Sequence, residues 1–133
     1  MERLALRYQD AVRALNTLKE IVKEPFSTIV RDAAIQRFEY TFEAFWKFIR
    51  EYLKEKEGII ANSPKACFKE IFALGRVDEE ETVALQEMTD KRNDTSHTYK
   101  QAVAQAIYEK INGYALLIEK VLAEFRQEKT KYA

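Results

Sequence analysis

Residues 27–58, STIVRDAAIQRFEYTFEAFWKFIREYLKEKEG, decide the fold. Ile35, Phe38, Phe42, Phe45, Ile49 and Leu53 recur in steps of three and four, the spacing of one face of an α-helix. Trp46, Phe48 and Tyr52 widen that face beyond a single seam. So broad an aromatic surface needs partners on more than one side, and the segment reads as the central helix of a bundle, lying also near a subunit contact. Its start is predicted near Ser27 or Thr28, both capping residues, and its end at about Lys56, with Gly58 as the stop.

The flanking chain repeats the pattern. Leu4, Tyr8, Ala11, Leu15, Leu18 and Val22 form one apolar stripe that Glu24-Pro25 ends, because proline disfavours helix at the residue before it. Ser63-Pro64 supplies a cap followed by proline at the first helical position. The short helix it opens carries Cys67, Phe68, Ile71, Phe72 and Leu74, and Gly75 closes it. Asp78 and Glu81 make a capping box, with Glu79 and Glu80 favourably placed against the helix dipole. A fourth helix presents Leu85 and Met88 inward. A last long helix carries Val103, Ile107, Ile111, Tyr114, Ile118, Val121 and Phe125, then frays into Lys129-Thr130-Lys131; Gly113 within it marks a close helix crossing. The expected fold is all-α, an up-and-down bundle of four to five helices in a single domain spanning residues 1–133.

Composition narrows the function. Lys and Arg together number 22, as do Asp and Glu, so the formal net charge is zero and the chain is not held on nucleic acid by bulk charge. Three Gly and two Pro leave no material for a β-sandwich, a phosphate-cradling loop or a dinucleotide fingerprint. Cys67 is the only cysteine, which excludes an intramolecular disulfide and a thiolate metal cluster. No uncharged run reaches membrane length and Met1-Glu2-Arg3 opens no signal peptide, so the chain reads as cytoplasmic and away from membranes.

One stretch departs from the bundle pattern: Lys91-Arg92-Asn93-Asp94-Thr95-Ser96-His97-Thr98-Tyr99-Lys100. Four residues beyond Met88 the inward position of the fourth helix is Arg92, and a guanidinium aimed at a helix seam is costly unless paired or at the mouth of a cleft. Asn93 to Ser96 are turn and cap formers. His97 is the only histidine. On a regular helix Arg92 and His97 would point about 140° apart, so they converge only if the helix ends or kinks between them. A convergent pair suits a phosphate: arginine forks onto its oxygens and histidine moves protons near neutral pH. Against this stands the bland alternative of a helix-end arginine beside a solvated histidine, since an Arg five residues before a given His arises by chance roughly one time in twenty.

Arg92-Asn93-x-x-x-His97-x-Tyr99 resembles the R-x4-H-x-Y signature of the HEPN superfamily, in particular its HepT branch. Residues 31–43, RDAAIQRFEYTFE, followed by Trp46-Lys47 are similar to the second helix of that branch. The resemblance implies a metal-independent endoribonuclease needing no cofactor, the toxin of a pair whose antitoxin is a minimal nucleotidyltransferase, with RNA as substrate. By the same resemblance Arg92 would hold the scissile phosphate, His97 would act as general acid or base, Asn93 would support the site, and Tyr99 would be the tyrosine that the nucleotidyltransferase caps with AMP.

Cleavage of this kind works best with both a base and an acid. With one histidine per chain, a two-fold homodimer bringing residues 92–99 of both copies to its axis would supply the pair. Glu39 and Glu43, four apart on the second helix, either pair with Arg37 and Lys47 in solvent or send one carboxylate to orient Arg92 or His97. Cys67 reads as a buried small hydrophobe, since no second histidine activates it, and residues 79–81 as a helix-start charge cluster rather than a metal site. Two other functions compete. One is a non-catalytic helical partner that serves as substrate-binding subunit of a nucleotidyltransferase. The other is a purely structural bundle with Arg92 paired and His97 solvated.

Overall fold

The computed structural model describes residues 2–126, so Met1 and the tail at Lys129, Thr130 and Lys131 expected to fray lie outside the described residues. Within them the chain is an all-α bundle of five α-helices: α1 (Glu2–Ile21), α2 (Thr28–Tyr52), α3 (Pro64–Ala73), α4 (Glu79–Asn93) and α5 (Gln101–Glu124).

Each terminus is set by local chemistry. Ser27 Oγ accepts the Val30 N–H at 3.0 Å and starts α2. Ser63 Oγ accepts the Ala66 N–H at 3.2 Å and Pro64 occupies the first turn of α3. Asp78 and Glu81 close a full capping box at α4, with bonds of 2.7 and 2.8 Å. The bond from Lys120 and the Asp78 N–H together hold the Glu81 carboxyl below its usual pKa. Past Tyr52, α2 widens into one π-helical turn, Leu53–Glu57, which keeps Leu53 fully buried and ends at Gly58 with φ 65°. Gly75, at φ 74°, ends α3: the Arg76 N–H reaches back to the Ile71 carbonyl and the Gly75 N–H to that of Phe72.

α2 is the central element. It packs along α1 and also touches α3, α4 and α5. Phe38, Phe42, Phe45, Phe48 and Ile49 are buried essentially completely. Phe42 lies 6.4 Å from Phe38 and 6.2 Å from Phe68, Phe38 stacks on Tyr114 at 5.7 Å, and Phe48 meets both Tyr8 and Phe125 edge-on. Each such ring contributes roughly 1.5–3 kcal/mol by burial. The extra breadth of α2, Trp46, Phe48 and Tyr52, is consumed inside the chain, all three being buried within it. The aromatic width therefore does not itself call for a second subunit, contrary to the expectation above.

One further expectation is corrected. Gly113 marks no close crossing, for a Cβ built there meets nothing within 4 Å. The inward set of α3 is Cys67, Phe68 and Ile71, whereas Phe72 and Leu74 are 44% and 37% exposed. The helix is too short to bury more than one stripe. No helix among the described residues is long and apolar enough to cross a membrane.

Because Phe42 joins the α1–α2 layer to α3, Phe42→Ala is expected to cost about 3–5 kcal/mol. Urea unfolding followed by circular dichroism checks this: the midpoint should fall while the slope stays unchanged.

Candidate functional site around Arg92, His97 and Tyr99

The polar stretch breaks the helix where its composition predicts. α4 ends at Asn93 and a 3-10 turn, Asp94–His97, follows before α5 restarts at Gln101. Side chains hold the turn by bonding backward to the backbone. Thr95 Oγ1 donates to the Arg92 carbonyl at 2.7 Å, Ser96 Oγ to that of Asn93 at 3.3 Å, and Thr98 Oγ1 to that of Thr95 at 3.2 Å. Such local bonds compete with the α-helical ladder and are the reason this composition ends a helix.

Arg92 projects from the last turn of α4 toward α2, half-buried. Its Nη2 pairs with Glu43 Oε1 at 3.3 Å and its Nη1 donates to Thr95 Oγ1 at 3.3 Å. Glu43 is a shared acceptor, its other oxygen taking the Trp46 indole N–H at 3.1 Å and lying 4.0 Å from Lys47 Nζ. Both readings of this carboxylate hold at once: it pairs with Lys47 and it orients Arg92. Glu39 makes no bond to Arg92 or His97 among the described residues, and Arg37 donates to the Thr17 carbonyl at 2.7 Å instead of pairing with a carboxylate of α2. The contacts to Glu43 and Thr95 occupy two of the five N–H donors of Arg92, and its Nε is buried without a hydrogen-bond partner. An arginine held by single contacts on two sides keeps donors for an incoming anion.

His97 is exposed at the end of the 3-10 turn, and its ring lies 6.1 Å from that of Tyr99. Tyr99 is 73% exposed, so its side chain is open to solvent. Asn93 is exposed and contributes its carbonyl to the turn. The structure brings Arg92 together with Glu43 and Thr95, and His97 with Tyr99. It joins Arg92 to His97 by no hydrogen bond within the one chain.

Sequence reasoning missed two residues that shape this segment. Thr95 is the buried member of the turn and braces the guanidinium; a β-branched hydroxyl three residues after the arginine was its only signal. Arg31, 5% exposed, donates to Gln101 Oε1 at 2.6 Å and pairs with Asp32 at 3.2 Å, tying the first turn of α5 to the first turns of α2. Partners 70 residues apart leave no local signature.

The remaining candidates are structural. Among the described residues no group of three or more His, Cys, Asp or Glu side chains could hold a metal ion. Of residues 79–81, Glu81 is engaged by its cap and by Lys120 at 2.8 Å. Cys67 is fully buried with its Sγ 3.5 Å from the Ala61 carbonyl. Burial pushes its thiol from 9.0 up to about 11, against a smaller opposing pull from Arg50. A cavity of about 580 Å³ between α1 and α5, lined among others by Lys19, Tyr108 and Leu116, contains none of the residues of the polar segment.

Against this geometry the comparisons are specific. Residues 6–127 match the family described as nucleotidyltransferase substrate binding protein like. The chain is 32% identical over 109 residues to the probable ribonuclease HepT of Haemophilus influenzae, covering 75% of this chain and 73% of that protein. It therefore belongs to the HepT-like family of nucleotidyltransferase substrate-binding proteins. A crystal structure of a Thermus thermophilus protein is 47% identical, with a TM-score of 0.84 over 87% of this chain and 98% of that one. The HepT-containing toxin–antitoxin complex with MntA, in a mutant form, shares the fold at a TM-score of 0.78 over 96% of this chain and 99% of the matched chain, at 11% identity.

Cys67 gives a direct test of the packing of α3. At pH 8 a thiol with a pKa near 11 is about one-thousandth ionised, so a thiol-reactive disulfide reagent should label the unfolded chain promptly and the native chain hardly at all. The unfolded chain ionises this thiol above pH 9 and the folded chain does not until about 11, so stability should decline across that window. Equal labelling of native and unfolded protein at pH 8 would contradict the burial.

Proposed function

We propose that this protein is a metal-independent endoribonuclease, the toxin of a pair whose antitoxin is a nucleotidyltransferase. Its site is built from Arg92 and His97 of two copies meeting in a homodimer. The observation that carries the reading is Arg92 itself: a half-buried guanidinium, steadied by Glu43 and Thr95 with donors to spare, at the start of an exposed helix break that also bears the chain's one histidine. Membership of a family that includes a probable ribonuclease supports it.

Arg92 binds non-bridging oxygens of the scissile phosphate and offsets the charge that grows there in the transition state. One His97 takes the proton of the ribose 2′-hydroxyl as its oxygen bonds to phosphorus. The bond from phosphorus to the 5′ oxygen breaks, and the second His97 protonates that leaving oxygen. The products are a 2′,3′-cyclic phosphate and a free 5′-hydroxyl, with no metal in the balance. Asn93 supports the turn from which His97 projects. Tyr99 receives AMP from the nucleotidyltransferase: its hydroxyl attacks the α-phosphorus of ATP and pyrophosphate leaves. An adenylate on a ring 6.1 Å from that of His97 brings negative charge and bulk to the place the RNA phosphate must occupy.

The second reading is a non-catalytic, substrate-binding partner of a nucleotidyltransferase. It is favoured by the lack of any bond between Arg92 and His97 in one chain and by the family's description. RNA cleavage in EDTA separates the two. Unmodified protein should leave cyclic phosphate ends, and His97→Ala or Arg92→Ala should lower the rate by at least a hundredfold. Intact protein that leaves total RNA and tRNA uncut, yet binds the nucleotidyltransferase, would establish the substrate-binding reading instead.

Two companion outcomes are expected. Sedimentation at micromolar concentration should give a dimer, and a monomer that nonetheless cleaves RNA would rule out the shared site. Incubation with the nucleotidyltransferase and ATP should add AMP to the wild-type chain and not to Tyr99→Phe, as read by intact-protein mass.

A further inference from the structure

Away from the helix break, a cavity of about 260 Å³ opens where the start of α1 meets the end of α2 and the connection to α3. Arg3, Arg7, Arg50 and Lys54 line it, against a single carboxylate, Glu51. None of these four cations makes an ion pair among the described residues. Four like charges facing one carboxylate repel one another, and the chain tolerates the arrangement in a molecule of zero formal charge. Glu51 is 6% exposed and its Oε2 accepts no hydrogen bond. The wall contributed by the α2–α3 connection is apolar, with Ile60 67% exposed.

The cavity is joined to the Arg92 site by a continuous chain of contacts. The Arg50 guanidinium lies over the Trp46 ring at 4.8 Å, the Trp46 indole N–H bonds Glu43, and Glu43 pairs with Arg92. Glu43, Lys47 and Arg50 share one face of α2, and Arg50 stands about 10 Å along the helix from Glu43. Lys54 extends the row into the π-helical turn.

The geometry points to a binding track for single-stranded RNA that runs from Arg92 along this face of α2 into the cavity at Arg3, Arg7, Arg50 and Lys54. The unpaired cations of the cavity suit a phosphate backbone, and its exposed apolar wall suits the face of a base. The inference rests on the ribonuclease reading and deepens it: the cut falls at Arg92 and His97, while nucleotides flanking it are held a short distance along α2.

The test uses full-length protein carrying His97→Ala, so that RNA is not consumed, and a fluorescein-labelled single-stranded RNA of about 12 nucleotides. Anisotropy titrations over a range of salt compare it with the same protein carrying Arg3→Gln, Arg7→Gln and Lys54→Gln. The expected result is affinity lower by tenfold or more, with the slope of log K against log salt shallower by about 2, roughly 0.7 for each lost phosphate contact. Wild-type protein should show quenching of Trp46, its only tryptophan, as RNA binds. Unchanged affinity and slope in the triple variant, in protein whose wild type cleaves RNA, would overturn the track and leave the ribonuclease reading standing. So would a triple variant that keeps RNA binding and loses only the nucleotidyltransferase, which would make the cluster a protein-docking surface. Failure of the His97→Ala parent to bind RNA, with no cleavage by the wild type, would remove both. If the triple variant does not fold, Lys54→Glu alone, at an exposed position, must weaken RNA binding at least threefold, and equal binding by it counts against the track.

Discussion

The rings of α2 are buried on nearly every side, and this burial governs the rest of the molecule. A helix with Phe38, Phe42, Phe45, Phe48 and Ile49 closed off from water cannot lie at an edge. α1 must cover one flank, α5 another, and α3 must bring Phe68 against Phe42 and Phe45. The strip of α2 left toward solvent is narrow. Its polar residues are therefore held close to a rigid body, and Glu43, Trp46, Lys47 and Arg50 fall on or beside that strip.

This placement gives the helix break between α4 and α5 something firm to lean on. A 3-10 turn of Asp94–His97 is by itself a weak structure, stabilised by hydroxyl-to-carbonyl bonds within the turn. It is anchored before by Arg92 on Glu43 and after by Arg31 on Gln101, both partners belonging to α2 or reaching it. The central helix thus serves as core and as scaffold for the polar segment. His97 and Tyr99, which carry the reactive groups in the proposed function, are left exposed between two fixed points.

Charge is distributed in the same economical way. The formal sum is zero, yet the pairs are not spread evenly. Lys120 with Glu81, Lys65 with Asp90 and Lys110 with Glu87 stitch α4 to its neighbours. Such exposed pairs each stabilise by at most about 1 kcal/mol, and their larger effect is on the surface potential. They cancel charge around α4, whereas at the α1–α2 end four cations face the single carboxylate of Glu51. A neutral composition therefore conceals a local basic surface, and a sum over the chain is a poor guide to what one face can bind.

Much of this was legible in the residues. Helix order, the caps at Ser27, Ser63 and Asp78, the stops at Gly58 and Gly75 and the break after Arg92 follow from preferences that act over three or four residues. The inward stripes of α1 and α2 are legible for the same reason. The width of α2 was legible as well, but what covers it was not: periodicity counts the apolar positions of a helix and cannot say whether its partners come from the same chain. Gly113 shows the same limit, since a glycine's sequence position does not reveal whether a neighbour approaches it. The sequence by itself determined the elements, their ends and the unusual polar segment, because each is encoded in adjacent residues. Only the tertiary structure decided that Glu43 rather than Glu39 meets Arg92, that Arg31 braces α5, and that Arg3 and Arg7 join Arg50 and Lys54. Those pairings depend on the angles and offsets at which packed helices cross, and no stretch of neighbouring residues encodes them.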